Sequence, residues 1–257
     1  MQNVDQHRPG GIVRPARRPT GWIAPGPRPV GACGHVDLAP RAGEDLCFLS
    51  GDWRIFQLVD GHRFSLDDLA TAWFAAESAT AQKIDLRRVA DLGCGIGSVL
   101  MMVAWRFPTA RVVGVEAQPP SVDLARRSLA WNGADDRCDV RRGDLRDPTV
   151  IPEAGAFDLV TGTPPYFPPE NGTVSLLPQR GPCRFEAQGG IEDYCAAASR
   201  IVAPSGLFVC CFDSRHPTRV HAAATLAGLH VVRTLDVIPR FPPPITARAF
   251  DTRNHNL

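Results

Sequence analysis

The sequence lacks an excess of charge of either sign, because 28 Lys and Arg residues face 27 Asp and Glu residues and leave a formal net charge of +1. The total therefore gives no sign of a strongly basic coat for nucleic acid, although one basic face is compatible with a balanced total. The sequence also lacks a run of about 18 apolar residues, and its N-terminal region has no apolar segment. We therefore expect a cytoplasmic protein that is neither secreted nor inserted into a membrane.

Paired cysteine motifs are also missing. The eight cysteines form no Cys-x-x-Cys pair and no regular framework, and several lie in apolar runs. This distribution is typical of small buried side chains in a reducing compartment. Cys33, His35 and Cys47 do not have the spacing of a common structural zinc site. We therefore predict no metal.

Large apolar side chains are scarce in residues 1–44, where proline, glycine and arginine are frequent. Such a segment cannot bury enough surface to offset its ordering entropy, so we expect a mostly disordered arm. The arginines are compatible with a tether for nucleic acid or with a solvated tail, and we favour the tail.

Residues 45–257 have the pattern of an α/β domain. Turn signals at Ser50-Gly51-Asp52 and Asp60-Gly61 predict a small hairpin over 45–64, and Ser65 is a candidate N-cap for the helix that follows. Apolar strand patterns then alternate with helical ones and give seven candidate strands. This alternation predicts a mainly parallel sheet with helices on both faces and an antiparallel pair of strands at one edge.

A glycine-rich turn follows the first strand of this domain, with Asp91 at the strand tip and Gly93, Gly95 and Gly97 at alternating positions. Ligands of such sheets bind beyond the carboxyl ends of the strands, where this turn lies. Glu116 ends the next strand, where a carboxylate can accept hydrogen bonds from both hydroxyls of a ribose. The glycines lack the wider final gap of the dinucleotide fingerprint, and we find no hydride-transfer partner. These features disfavour a nicotinamide dehydrogenase and favour S-adenosylmethionine.

A second motif, Thr163-Pro164-Pro165-Tyr166, follows the fourth strand and should face the glycine turn across the sheet. The Pro-Pro step fixes the backbone and leaves the carbonyl groups of Thr163 and Pro164 free to accept hydrogen bonds from an amine. Tyr166 offers a ring on which a flat base can stack. The pattern suits a planar amine that is aligned with a methyl donor, without a strong general base.

Together these motifs resemble those of the class I S-adenosylmethionine-dependent methyltransferases, which implies a Rossmann-like fold. The resemblance implies that Asp91, Gly93, Gly95, Gly97 and Glu116 bind the cofactor. In Gly143-Asp144, Asp144 would meet its adenine, and Asp67 is a further candidate. Thr163–Tyr166 resembles the Asn-Pro-Pro-Tyr signature of enzymes that methylate adenine, guanine or a glutamine side chain.

Two further segments resemble the bacterial tRNA adenine methyltransferases that modify valine tRNA next to the anticodon. They are Gly61-His-Arg-Phe-Ser-Leu-Asp67 and Arg180-Gly-Pro-Cys-Arg184-Phe-Glu186. The resemblance implies transfer to an adenine amine in tRNA or another RNA. Phe167, Arg180 and Arg184 are then candidate substrate contacts, although Glu186 could equally pair with Arg184.

Thr163 departs from the signature, which has asparagine at this position. A threonine hydroxyl is shorter than a carboxamide and both donates and accepts hydrogen bonds. This departure leaves methylation of a protein glutamine or a small amine as an alternative. A subunit that binds cofactor or RNA without catalysis is the alternative from another class.

Overall fold

The computed structural model describes residues 11–33, 35–166, 189–238 and 245–251. A small three-stranded sheet precedes the main domain and consists of β1 (Ile12–Val13), β2 (Glu44–Phe48) and β3 (Arg54–Leu58). β2 and β3 pair antiparallel, which confirms the predicted hairpin, and β1 adds to β2 in parallel.

Part of the segment expected to be disordered packs on the domain. Next to β1, Arg14 binds the buried carboxylate of Asp45 through Nε and Nη2, at 2.8–3.0 Å. The Gly31 N–H donates to the Trp131 carbonyl (3.0 Å), and Arg127 binds the carbonyl of Asp37 in a short 3-10 helix, Val36–Leu38. Ion pairs and backbone hydrogen bonds, rather than apolar side chains, hold this stretch on the domain. Its low apolar content therefore did not predict that it packs there. Disorder stays a prediction for residues 1–10, which lie outside the described residues.

The main domain alternates helices and strands in the predicted order. Its elements are α1 (Leu66–Ala81), β4 (Arg88–Leu92), α2 (Ser98–Arg106), β5 (Arg111–Glu116), α3 (Pro119–Asn132), β6 (Cys138–Arg142), β7 (Phe157–Gly162), α4 (Ile191–Ile201), β8 (Val202–Asp213), α5 (Pro217–Leu226), β9 (His230–Val237) and β10 (Ile245–Asp251).

Local signals set several boundaries. The backbone N–H of Ser65 donates to the Asp68 carboxylate one turn on (2.8 Å), which begins α1. Gly133 closes α3 with a left-handed φ of 65°. β8 includes Pro204-Ser205-Gly206, because its pairing with β7 shifts register between Phe157 and Leu159 and so accommodates these residues.

The seven strands are arranged in the order β6-β5-β4-β7-β8-β10-β9. Neighbours from β6 to β8 pair in parallel, and β10 runs antiparallel to both β8 and β9. The predicted α/β fold with a mainly parallel sheet is confirmed. The antiparallel strand is β10, which lies next to the edge of the sheet, between β8 and the edge strand β9.

Two apolar cores cover the sheet. One contains residues of α1, α2 and α3, and the other contains residues of α4 and α5. Strand order reverses between β4 and β7, so the carboxyl ends of these strands form the crevice in which ligands of such sheets bind. Within the described ranges, no helix is both long and apolar enough to cross a membrane.

Candidate functional site

A cleft of about 630 Å³ lies at this switch point. The segment before α1, the glycine turn, the ends of β5 and β6, and the loop after β7 contribute to its walls. Nine of the residues predicted from the sequence line it: Asp67, Gly93, Gly95, Glu116, Asp144, Thr163, Pro164, Pro165 and Tyr166. The chain thus brings five of its seven cofactor candidates and its acceptor motif into one cavity.

The glycine turn has the backbone that its sequence requires. Gly93, Gly95 and Gly97 have φ values of 59°, 56° and 84°, in the left-handed region that residues with a Cβ rarely adopt. A Cβ added at Gly95 would meet no atom within 4 Å, so this glycine opens its backbone to the cleft. Gly97 does not line the cleft and instead precedes the first residue of α2.

Asp91 is buried and is not among the residues that line the cleft. Its Oδ2 accepts from the Leu100 N–H in α2 (3.0 Å), and its Oδ1 accepts from the Thr161 hydroxyl in β7 (2.7 Å). Burial raises the pKa of Asp91 to about 7 despite these hydrogen bonds. Asp91 therefore connects β4 with α2 and β7, and its predicted contact with a cofactor stays a prediction.

Glu116 ends β5 beside the glycine turn. Its Oε2 accepts from the Gly95 N–H (2.9 Å) and its Oε1 from the Gln118 N–H (2.7 Å). Burial raises the pKa of Glu116, and hydrogen bonds from backbone N–H groups, above all those of Gln118 and Gly95, act in the opposite direction. Each oxygen keeps a second acceptor site, so the carboxylate can still accept from two hydroxyls.

Asp144 lies in the loop after β6 and forms a bidentate ion pair with Arg146. The hydrogen bonds from Arg146 lower the pKa of Asp144, which therefore stays charged. A ligand that contacts Asp144 must share this carboxylate with Arg146.

The first turn of α1 contributes two neighbouring carboxylates. Asp68 Oδ1 accepts from the hydroxyl of Ser98 (2.8 Å), the first residue of α2. Burial and the charge of Asp67 raise the pKa of Asp68 to about 7. Asp67 Oδ2 accepts from the Tyr166 hydroxyl (3.1 Å). This turn therefore connects the glycine turn with the acceptor loop.

The ring of Tyr166 packs edge-on against Phe212, with centroids 5.6 Å apart. Burial, together with the neighbouring Cys211 and Asp67, raises the pKa of Tyr166 above its usual value, so the hydroxyl keeps its proton. Phe167, Arg180 and Arg184, predicted as substrate contacts, lie outside the described residues.

Three of the cleft residues that were not predicted from the sequence are Asp68, Tyr194 and Arg63. Asp68 carries a signal in its spacing to Ser65, which is that of a capping box. Tyr194 of α4 packs so closely that a Cβ at Gly93 would meet its hydroxyl at 2.0 Å, a contact that no local pattern indicates. Arg63 lies within a segment noted only for its family resemblance, and it lines the cleft. No group of three or more His, Cys, Asp or Glu side chains suited to a metal ion occurs in the part of the chain that the structure describes.

Residues 89–173 match a family model described as a methyltransferase domain, which covers the glycine turn and the acceptor motif. The match confirms the predicted resemblance and supports S-adenosylmethionine as the cofactor.

Among curated relatives, the chain is 33% identical over 118 residues to the tRNA1(Val) (adenine(37)-N6)-methyltransferase of Porphyromonas gingivalis, which covers 45% of this chain and 46% of the relative. It is 34% identical over 118 residues to the release factor glutamine methyltransferase of Neisseria gonorrhoeae, covering 46% and 41%. The chain thus spans less than half the length of these two relatives.

Solved structures share the fold. A geranyl diphosphate C-methyltransferase from Streptomyces coelicolor aligns with a TM-score of 0.51 at 15% identity, over 69% of this chain and 76% of that one. An S-adenosylmethionine-dependent methyltransferase from Clostridium acetobutylicum aligns with a TM-score of 0.53 at 11% identity, over 73% and 92%.

Proposed function

We propose that this protein is an S-adenosylmethionine-dependent N-methyltransferase whose acceptor is the exocyclic amine of adenine in tRNA or another RNA. The observation that carries the proposal is the single cleft, which combines the glycine turn and Glu116 with the Thr163–Tyr166 loop. The similarity to a tRNA adenine methyltransferase supports this choice of acceptor.

The residues present fit this cofactor. Gly95 leaves open space beside its backbone, as a ligand in close contact requires. Glu116 keeps acceptor sites for two ribose hydroxyls, and Asp144 and the adjoining Gly143 line the cleft at the end of β6, where the adenine would bind. The cofactor supplies an electrophilic methyl group on a sulfonium centre.

The acceptor loop performs the positioning. The carbonyl oxygens of Thr163 and Pro164 accept the hydrogens of the target amine and turn its lone pair towards the methyl group. Tyr166 is fixed by its hydrogen bond to Asp67 and by its contact with Phe212, so it provides a rigid wall for a flat base. Alignment is then the main source of rate, and the proton released by the methylated amine passes to water.

Transfer of a labelled methyl group to total tRNA tests the proposal. We expect ribonuclease-sensitive labelling by the wild-type protein and strongly reduced labelling by Tyr166→Ala. As a matched control, Phe107→Ala removes an aromatic ring after α2, outside the cleft. Equal labelling by the wild-type protein and Tyr166→Ala would remove Tyr166 from the acceptor site.

A protein glutamine is the second candidate acceptor. The similarity to a release factor glutamine methyltransferase favours it. Label that resists ribonuclease and is lost with protease would support this acceptor. Saturable cofactor binding without any labelled product would instead support the non-catalytic subunit.

A further inference from the structure

The cleft has an uneven distribution of charge. Four of its lining residues carry carboxylates: Asp67, Asp68, Glu116 and Asp144. Among the lining residues that the structure describes, Arg63 is the one with a permanent positive charge. The cofactor of the proposed function ends in a free carboxylate, which the acidic residues repel. Its natural partner in this cleft is a guanidinium.

Arg63 lies at the appropriate end of the cleft. It is part of the segment before α1, and the hydrogen bond between Asp68 and Ser98 brings the start of α1 next to the start of α2, directly after the glycine turn. In the proposed function, the cofactor's adenine lies at Asp144 and its ribose at Glu116. The methionine part must therefore extend over the glycine turn towards the segment that carries Arg63.

The guanidinium of Arg63 is held from one side. Its Nη2 donates to Asp45 Oδ2 (3.1 Å) and to Cys47 Sγ (3.2 Å), whereas Nε and Nη1 have no partner among the described residues. Two donors of a planar fork therefore remain for a carboxylate, which such a fork binds in bidentate fashion.

Asp45 is itself fixed. Its side chain is fully buried, and Arg14 of the N-terminal segment donates to both of its oxygens. Burial acts to raise the pKa of Asp45, but the hydrogen bonds from Arg14, Cys47 and Arg63 bring it below the usual value. A charged Asp45 therefore holds Arg63 in place, and the segment next to β1 supports the rim of the cleft.

We propose that Arg63 binds the carboxylate of the cofactor's methionine part and that Arg14 and Asp45 position it for this task. This inference rests on the proposed use of S-adenosylmethionine. Arg63 would then bind the cofactor while it pairs with Asp45 of the hairpin. The N-terminal segment would contribute to cofactor binding through Arg14.

Calorimetric titration with two probes tests the assignment. One probe is S-adenosylhomocysteine, and the other is its decarboxylated analogue, which keeps the amine but lacks the carboxylate. Arg63→Gln should weaken binding of the first probe by about 10- to 100-fold, as expected for one bidentate charged contact. It should leave binding of the decarboxylated probe within a factor of about three of the wild-type value, because the lost partner is absent there.

Two more variants sharpen the test. Arg14→Gln should cause a smaller loss that is also confined to the probe with a carboxylate. Arg111→Gln is the matched control, since Arg111 is an exposed arginine at the opposite end of the sheet, and it should change neither affinity.

Equal weakening of both probes by Arg63→Gln, or no weakening of either, would overturn the assignment while leaving the proposed function intact. A raised KM for RNA with unchanged probe affinity would also overturn it, because the guanidinium would then serve a phosphate. Failure of the wild-type protein to bind either probe would overturn the proposed function as well.

Discussion

Replacement of Gly95 by alanine separates the cost of backbone strain from the loss of ligand space. Gly95 has a φ of 56° and lines the cleft, and an added Cβ would meet no protein atom within 4 Å. Gly155 offers a matched control, because its φ is 60° and its added Cβ also meets nothing, but it does not line the cleft.

The two variants should lose the same stability. A residue with a Cβ in this region of φ and ψ costs about 1–2 kcal/mol. In a domain of this size each kcal/mol lowers Tm by about 2–4 °C. Thermal unfolding of Gly95→Ala and Gly155→Ala, each compared with the wild type, measures this shared loss of stability.

Cofactor binding should distinguish them. The methyl group of Gly95→Ala projects into the space where the ligand lies against the backbone, so we expect its affinity for S-adenosylhomocysteine to fall by at least about tenfold, or 1.4 kcal/mol. Gly155→Ala should bind like the wild type. Equal affinities of the two variants would refute the assignment of the glycine turn to the cofactor.

Three further variants test other parts of the site. Asp68 has a pKa of about 7, above its usual 3.8, so the stability contributed by its proton at low pH is lost as pH rises towards 7. Asp68→Asn should flatten this decline in urea unfolding between pH 5 and pH 7.5, and an unchanged slope would count against the buried acid. Thr163→Asn should raise kcat for an adenine acceptor by up to about 10²-fold, because it adds a positioned hydrogen-bond partner. Thr163→Ser is the control and should not raise kcat. A lower kcat for the asparagine variant would contradict the proposed geometry. Tyr166→Phe removes the hydroxyl that binds Asp67 but keeps the ring, so unfolding should show a loss of about 1 kcal/mol and turnover should exceed that of Tyr166→Ala. Equal turnover in these two variants would argue against a role for the ring.

The local chemistry of the sequence predicted most of the fold. The glycine turn, the helix start after Ser65 and the alternation of strands and helices are short-range patterns, and each is present in the structure. The position of β10 between β8 and β9 could not be predicted in this way, because it depends on pairing between strands that are distant along the chain.

The site also combines features that short-range patterns predict with contacts between residues that are distant along the chain. Glu116 and Thr163 could be identified because Glu116 ends a strand and Thr163 directly follows one at the ligand-binding edge of the sheet. The hydrogen bond between Asp67 and Tyr166 joins residues 99 positions apart, so only the folded chain reveals it. The ion pair between Arg14 and Asp45 spans 31 positions and explains why a segment poor in apolar residues packs on the domain.

The most direct test of the proposed activity is mass spectrometry of nucleosides from tRNA that has been incubated with the protein and S-adenosylmethionine. We expect a methylated adenosine that carries its new methyl group on the exocyclic nitrogen, and we expect a strong decrease of this product with Tyr166→Ala. An unchanged nucleoside profile, from a protein that binds S-adenosylhomocysteine, would contradict RNA adenine as the acceptor.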